Sequence, residues 1–232
     1  MAEPTPQLPL ALRFPPDQRF ETFVAADAGL VLAPLQALAL QPRRGGLLLT
    51  GPAGSGKTHL LIAACAEAQA HDHRVAYLHA ASAGGRLGEA LDALHGFDLV
   101  ALDGIDAVAG ARGDEVALFD FHNRMHDADR ALLYASRAAP DALTLSLPDL
   151  RSRLAQCARI VLPPLDDAGR RELLRLRASR RGLQLDGPAI DWLLRRVDRD
   201  PVSLTALFER LDRASLAEQR RITVPFLRDV LG

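Results

Sequence analysis

Short apolar runs alternate with longer mixed stretches along the chain, and this alternation predicts most of its elements. Residues 45–50 (GGLLLT), 75–80 (VAYLHA), 97–104 (FDLVALDG), 131–136 (ALLYAS) and 159–163 (RIVLP) are apolar runs bounded by glycine, proline or polar residues. Runs of that length with such boundaries predict buried strands. Between them, residues 59–70 (HLLIAACAEAQA) carry small and apolar side chains at helical spacing, which predicts a buried helix. Residues 114–128 (DEVALFDFHNRMHDA) read as an amphipathic helix, with Val116, Phe119, Asn123 and His126 along one face. Pro148 and Asp149 mark the start of a further short helix. Strands alternating with helices imply parallel β-α units, both sheet faces covered, and so an α/β fold.

The pattern changes after Pro163 and Pro164. Asp166 or Asp167 caps a helix that stops at Gly182, and Pro188 falls where a first helical turn accepts it. About four helices follow one another without a strand signal, so residues 165–232 form a small all-helical subdomain. At the other end, Pro4, Pro6, Pro9, Pro15 and Pro16 predict an extended tail over residues 1–17. The expected organisation is a tail (1–17), an α/β subdomain (18–164) and a helical subdomain (165–232).

Composition narrows the class. The formal net charge is −1 over 232 residues, so nothing global suggests a nucleic-acid or membrane-surface binder. From residue 165 onward there are 14 arginines against 11 acids, so the arginine-rich stretch at 170–181 reads as a solvated helix face. Cys65 and Cys157 are isolated thiols, which suits a reducing compartment. The start lacks a basic region and a long apolar core, and no apolar run is long enough to span a bilayer; the expectation is a cytoplasmic protein. His122 and His126 stand four apart without a third ligand and read as solvated helix residues.

One stretch carries chemistry. Residues 51–58 read GPAGSGKT, and Lys57 is the only lysine among 28 basic residues. Gly51, Gly56, Lys57 and Thr58 satisfy the phosphate-loop pattern, with a predicted strand before and a predicted helix after. Glycines let successive N–H groups of Gly51, Pro52, Ala53, Gly54, Ser55 and Gly56 wrap an anion, proline excepted as a donor. The helix that opens at Lys57, Thr58 and His59 adds its positive end. A compact ammonium reaches phosphate oxygens, and the Thr58 hydroxyl is a ligand for Mg²⁺. Asp103, closing the strand LVALD, is the acidic partner that would hold Mg²⁺ through water. The expected cofactors are ADP or ATP with Mg²⁺. Many hydrolysing relatives carry a second carboxylate next; here it is Gly104, and Asp106 lies two residues beyond. Ser136 ends a strand, where it is either a polar contact to the terminal phosphate or a plain strand-end cap.

The phosphate loop, the strand–helix alternation and the helical C-terminal part resemble the AAA+ ATPases of the bacterial initiator clade. The segment LRSRLAQCARIVLPPLDD (150–167) resembles the finger-bearing segment of the replication initiator DnaA. The segments GIDAVAGARGDEVALFDFHNRM (104–125) and LDRASLAEQRRITVPFLRDVLG (211–232) are similar to the DnaA-related regulatory inactivators. The chain stops after the helical part, where DnaA continues into a DNA-binding domain. The resemblance implies a nucleotide-bound AAA+ module with a helical lid that stimulates ATP hydrolysis by DnaA, Arg153 being an arginine finger supplied in trans. It implies that QLPLAL at 7–12 docks on the β sliding clamp of DNA polymerase III through Gln7, Leu8, Leu10 and Leu12, with DNA met only through the clamp. It sets Phe20 and Phe23 beside the adenine, core packing being the alternative, and it leaves a homo-oligomer open. By the family pattern the lid's sensor arginine is replaced by Val202, with Arg199 three residues earlier. With Gly104, that points to slow intrinsic turnover. Two other readings stay open: an autonomous ATPase of the clade, such as a helicase loader, and a nucleotide-dependent adaptor without a finger.

Overall fold

The computed structural model describes residues 14–25, 28–83, 85–196, 207, 210, 211, 214 and 222–231. Five parallel strands form one sheet in the order β2-β3-β4-β1-β5: β1 (Gly45–Thr50), β2 (Val75–His79), β3 (Leu99–Asp103), β4 (Ala131–Ser136) and β5 (Ala158–Val161). β1 and β4 match the apolar runs residue for residue. β5 begins one residue earlier than expected and lies on the sheet edge, where Val161 is 59% exposed.

Strand residues alternate between two cores because side chains on a strand have a period of two. Leu48, Val100, Leu102, Leu132 and Tyr134 face α3 (Leu87–Asp92), α4 (Arg112–Asp127) and α5 (Pro148–Gln156), packing on Leu91, Leu118, Phe121 and Leu150. Leu47, Leu49, Leu99, Ala101 and Leu133 face α1 (Ala28–Leu40) and α2 (Lys57–Ala70), packing on Leu35, Leu60, Leu61 and Ala64. Phe14 already packs on this second core, ahead of the expected boundary at residue 18.

The helical subdomain has its own core around Leu174, Ile190, Trp192, Leu193, Leu211 and Phe226. It contains α6 (Asp167–Arg180), α7 (Gly187–Arg196) and α8 (Val224–Leu231). Of the two cap candidates, Asp166 performs the role: its side chain accepts from the Gly169 N–H at 2.7 Å. Among the described residues no helix is long and apolar enough to cross a membrane.

Two expectations fail in α4. The buried face is Leu118, Phe121, His122 and Met125; Val116 is exposed and Phe119, Asn123 and His126 are only half-buried. The helix runs one register away from the expected stripe because its apolar residues occur on both sides of it. His122 is therefore not solvated: it is 8% exposed, and its Nδ1 pairs with the Tyr134 hydroxyl at 2.9 Å. Burial first, then the charges of Arg153 and His126, draw its pKa down to about 4.

Candidate nucleotide-binding site

The phosphate loop leaves the C-terminal end of β1 and opens α2. Glycine is required at its two ends. Gly51 has φ 157° and a Cβ there would collide with the Leu162 carbonyl oxygen. Gly56, the residue before α2, has φ 93°, and a Cβ would stand 2.7 Å from the Phe23 ring. The left-handed region and the close approach both exclude a side chain. The Lys57 ammonium folds back over the loop, donating to the carbonyls of Gly51 and Pro52 at 2.7 Å each. Burial draws the Lys57 pKa below its ordinary value, against the attraction of Asp103 and Asp106.

Phe23 and Phe20 part company. Phe20 is buried in the core beneath the sheet, the packing alternative for that residue. Phe23 is half-buried against Gly56 and meets the His59 ring edge-on, centroids 5.7 Å apart. His59 Nε2 lies 2.8 Å from the Arg19 carbonyl and 3.1 Å from the Thr22 hydroxyl, clamping the Arg19–Phe23 segment over the start of α2. Burial lowers the His59 pKa.

On the other side of the loop, Thr58 Oγ1 donates to Asp103 Oδ2 at 2.6 Å, and the Tyr77 hydroxyl donates to the same oxygen at 2.9 Å. Asp103 is buried at the end of β3. A hydroxyl and a carboxylate already in contact beside a phosphate cradle are hard oxygen donors, the set that suits Mg²⁺. Gly104 follows with φ 68°, its α-carbon covered by the His79 ring. Asp106 turns away: its Oδ1 accepts from the Arg137 N–H at 3.1 Å. Ser136 is buried, and its hydroxyl accepts from the Ala138 N–H at 3.3 Å, a strand-end cap.

Arg153 lies at the other end of the sheet. It belongs to α5, which ends just before β5, and β5 starts opposite Leu47 near the beginning of β1. The phosphate loop follows Thr50, about 17 Å along β1 from Gly45 at about 3.3 Å per residue. Among the described residues the guanidinium meets only Gln156 Oε1, at 3.5 Å. Arg151, like Arg153, is half-buried, and its Nη2 donates to the Leu145 carbonyl at 2.9 Å.

Sequence reasoning missed the residue that fixes this helix. Glu115, fully buried in α4, accepts from the N–H groups of Gly110 at 2.8 Å, Ser146 at 3.0 Å and Leu147 at 2.7 Å. Burial alone would raise its pKa; the three backbone bonds outweigh it and hold the carboxylate below its ordinary range. The carboxylate thus ties the N-terminus of α5 to α4. Gln7, Leu8, Leu10, Leu12, Arg199 and Val202 lie outside the described residues.

Residues 15–160 match the family model of the bacterial DnaA ATPase domain, and residues 167–231 match that of the Hda lid domain. Among solved structures, domain III of the Thermotoga maritima replication initiation protein DnaA is similar at 21% identity, covering 94% of this chain and 98% of that one, with a TM-score of 0.79. AMPPCP-bound DnaA from Aquifex aeolicus is similar at 22% identity, over 85% of this chain and 65% of that one, with a TM-score of 0.68. The Thermotoga maritima RuvB branch-migration motor is similar at 20% identity, over 92% and 71%, with a TM-score of 0.67. At these identities the structural likenesses carry the fold: a five-stranded AAA+ sheet with a helical lid.

Proposed function

Because the chain belongs to the bacterial DnaA ATPase family, we propose that it restrains replication initiation by stimulating ATP hydrolysis on DnaA while docked on the β sliding clamp. The observation that carries this reading is the separation of Arg153 from the chain's own phosphate loop, at opposite ends of the sheet. An arginine so distant serves a neighbour's nucleotide, not its own. The match of residues 167–231 to the Hda lid supports a regulator over a helicase loader.

The chain's own nucleotide, ADP or ATP, binds the loop from Gly51 to Thr58. Lys57 leaves the Gly51 and Pro52 carbonyls for phosphate oxygens, and backbone N–H groups complete the cradle. Phe23 and His59 flank the base side of the loop. Thr58 and Asp103 would hold Mg²⁺, which neutralises phosphate charge when bound. On the partner's ATP, the Arg153 guanidinium places a planar fork of donors against the developing γ-phosphate charge. Gln7, Leu8, Leu10 and Leu12 supply the clamp contact, an amide and leucines spaced two apart.

The test follows conversion of ATP–DnaA to ADP–DnaA with DNA-loaded clamp present. An arginine finger in trans is worth about 10³–10⁵ in rate. Arg153→Ala and Arg153→Lys therefore lose nearly all stimulation while binding ADP and clamp normally. Deleting residues 1–12 abolishes clamp pull-down without changing ADP affinity. Stimulation by Arg153→Ala within about fivefold of wild type, against that 10³–10⁵ expectation, overturns the finger and leaves the adaptor.

A further inference from the structure

A cavity of about 320 Å³ opens beside Arg153, between the starts of β1 and β4 and the ends of α4 and α5. Its wall carries Arg44, His122, His126, Arg130 and Arg153 and, among the described residues, no carboxylate. These cations are not equivalent. Arg130 is already paired with Asp98, which lies outside the wall. His122 is neutral and bonded to Tyr134. Arg44 and Arg153 are the two guanidinium groups that meet no acid side chain with their charged heads.

Arg44 is nonetheless held in place. Its backbone N–H donates to Asp129 Oδ1 at 3.1 Å, and its Nε donates to His126 Nε2 at 2.7 Å. Nε2 accepts in that bond, and the Arg44 guanidinium keeps its charge. Only Nε is used; the terminal nitrogens of the fork have no partner among the described residues. Gly46, in the same wall, lets β1 approach the end of α5 closely: a Cβ there would stand 2.5 Å from Cys157 Sγ. Two like charges facing one cavity without a counter-ion are unfavourable until an anion enters.

We infer that Arg44 is a second cation for the oxyanion that Arg153 contacts, and that the cavity takes a phosphate group between the two guanidinium forks. This rests on the reading above for the source of the phosphate, the triphosphate held by the partner; free polyphosphate offers the same chemistry.

Two measurements separate these sources. The first compares full-length wild type, Arg44→Ala and Arg44→Lys in the conversion of ATP–DnaA to ADP–DnaA on loaded clamp. Hydrogen bonds to charged groups are worth enough for Arg44→Ala to slow the step about tenfold or more. The loss falls on the rate at saturating DnaA rather than on the amount needed for half-saturation, and ADP affinity and thermal midpoint stay unchanged. Arg44→Lys recovers only part, because an ammonium has no fork. An Arg44→Ala rate within about twofold of wild type, where a charged hydrogen bond predicts about tenfold, overturns the inference. If wild type itself fails to stimulate DnaA, the regulator reading falls and the cavity is tested alone. Tripolyphosphate is then titrated by calorimetry into ADP-filled wild type and Arg44→Ala. Binding weakened about fivefold or more by the substitution, as loss of one charged contact requires, assigns a free polyphosphate site. Equal binding, or none, overturns the inference here too.

Discussion

The two ends of the sheet are built on opposite plans. At the C-terminal end the polar side chains of the site find partners within the chain: Lys57 on two carbonyls, Thr58 and Tyr77 on one oxygen of Asp103. At the N-terminal end Arg44 and Arg153 carry charge that no acid side chain among the described residues cancels at their heads. The first end is a closed socket with its own internal stand-ins for a ligand. The second presents positive charge outward from fixed positions. Under the proposed function the first end holds the chain's own nucleotide and the second acts on a partner's, with the length of the sheet between them.

The strongest way to break this contrast is Lys57→Ala. Two charge-assisted bonds to phosphate are lost, and ADP affinity falls about a thousandfold. The side chain's bonds are to loop carbonyls rather than to the core, so the fold survives. Calorimetry with ADP, beside a circular dichroism melt, checks both halves of the claim.

His122 gives the next largest effect, at the opposite end. Its pKa is 6.5 when unfolded and about 4 when folded. A base whose folded pKa is depressed stays unprotonated in the native state while the unfolded chain takes up a proton. Stability is therefore whole above pH 6.5 and falls by up to about 3 kcal/mol as pH drops to 4. His122→Gln flattens that slope in urea unfolding at pH 7 and pH 4.5, against the 6.5 and 4 of wild type. Arg153→Ala makes the loss smaller and ends it at a higher pH, because the Arg153 charge is part of the depression and its removal raises the folded pKa. A slope unchanged in both variants removes His122 from the electrostatics of this end.

Glu115 sharpens the comparison by the smallest amount. Glu115→Gln turns an amide N–H₂ toward N–H donors and costs about 1–2 kcal/mol of stability. Because α5 loses its tie to α4, stimulation of DnaA falls as well, while ADP binding at the far end is untouched. Equal loss at both ends would show that Glu115 supports the whole domain instead.

Legibility in the sequence follows the same division. The socket is continuous: eight neighbouring residues, GPAGSGKT, one strand before and one helix after, so local pattern suffices. The N-terminal end is assembled from the α1–β1 loop, α4, the α4–β4 loop and α5, and no window of sequence holds it together. The burial of His122 is not legible locally because its partner Tyr134 is on a different element. α1 is illegible for a different reason. AGLVLAPLQALAL has no charged residue to mark a polar face and carries Pro34 inside, which reads as a breaker. The short α3 lay between turn signals and gave no periodic stretch long enough to read.

Gly104 has a consequence for turnover. The family resemblance implies a second, water-orienting carboxylate at this position in many hydrolysing members. Here the backbone takes φ 68° and the His79 ring stands 3.3 Å from where a Cβ would go. A carboxylate side chain introduced there costs about 1–2 kcal/mol in backbone conformation, and the His79 ring has to yield slightly to admit it.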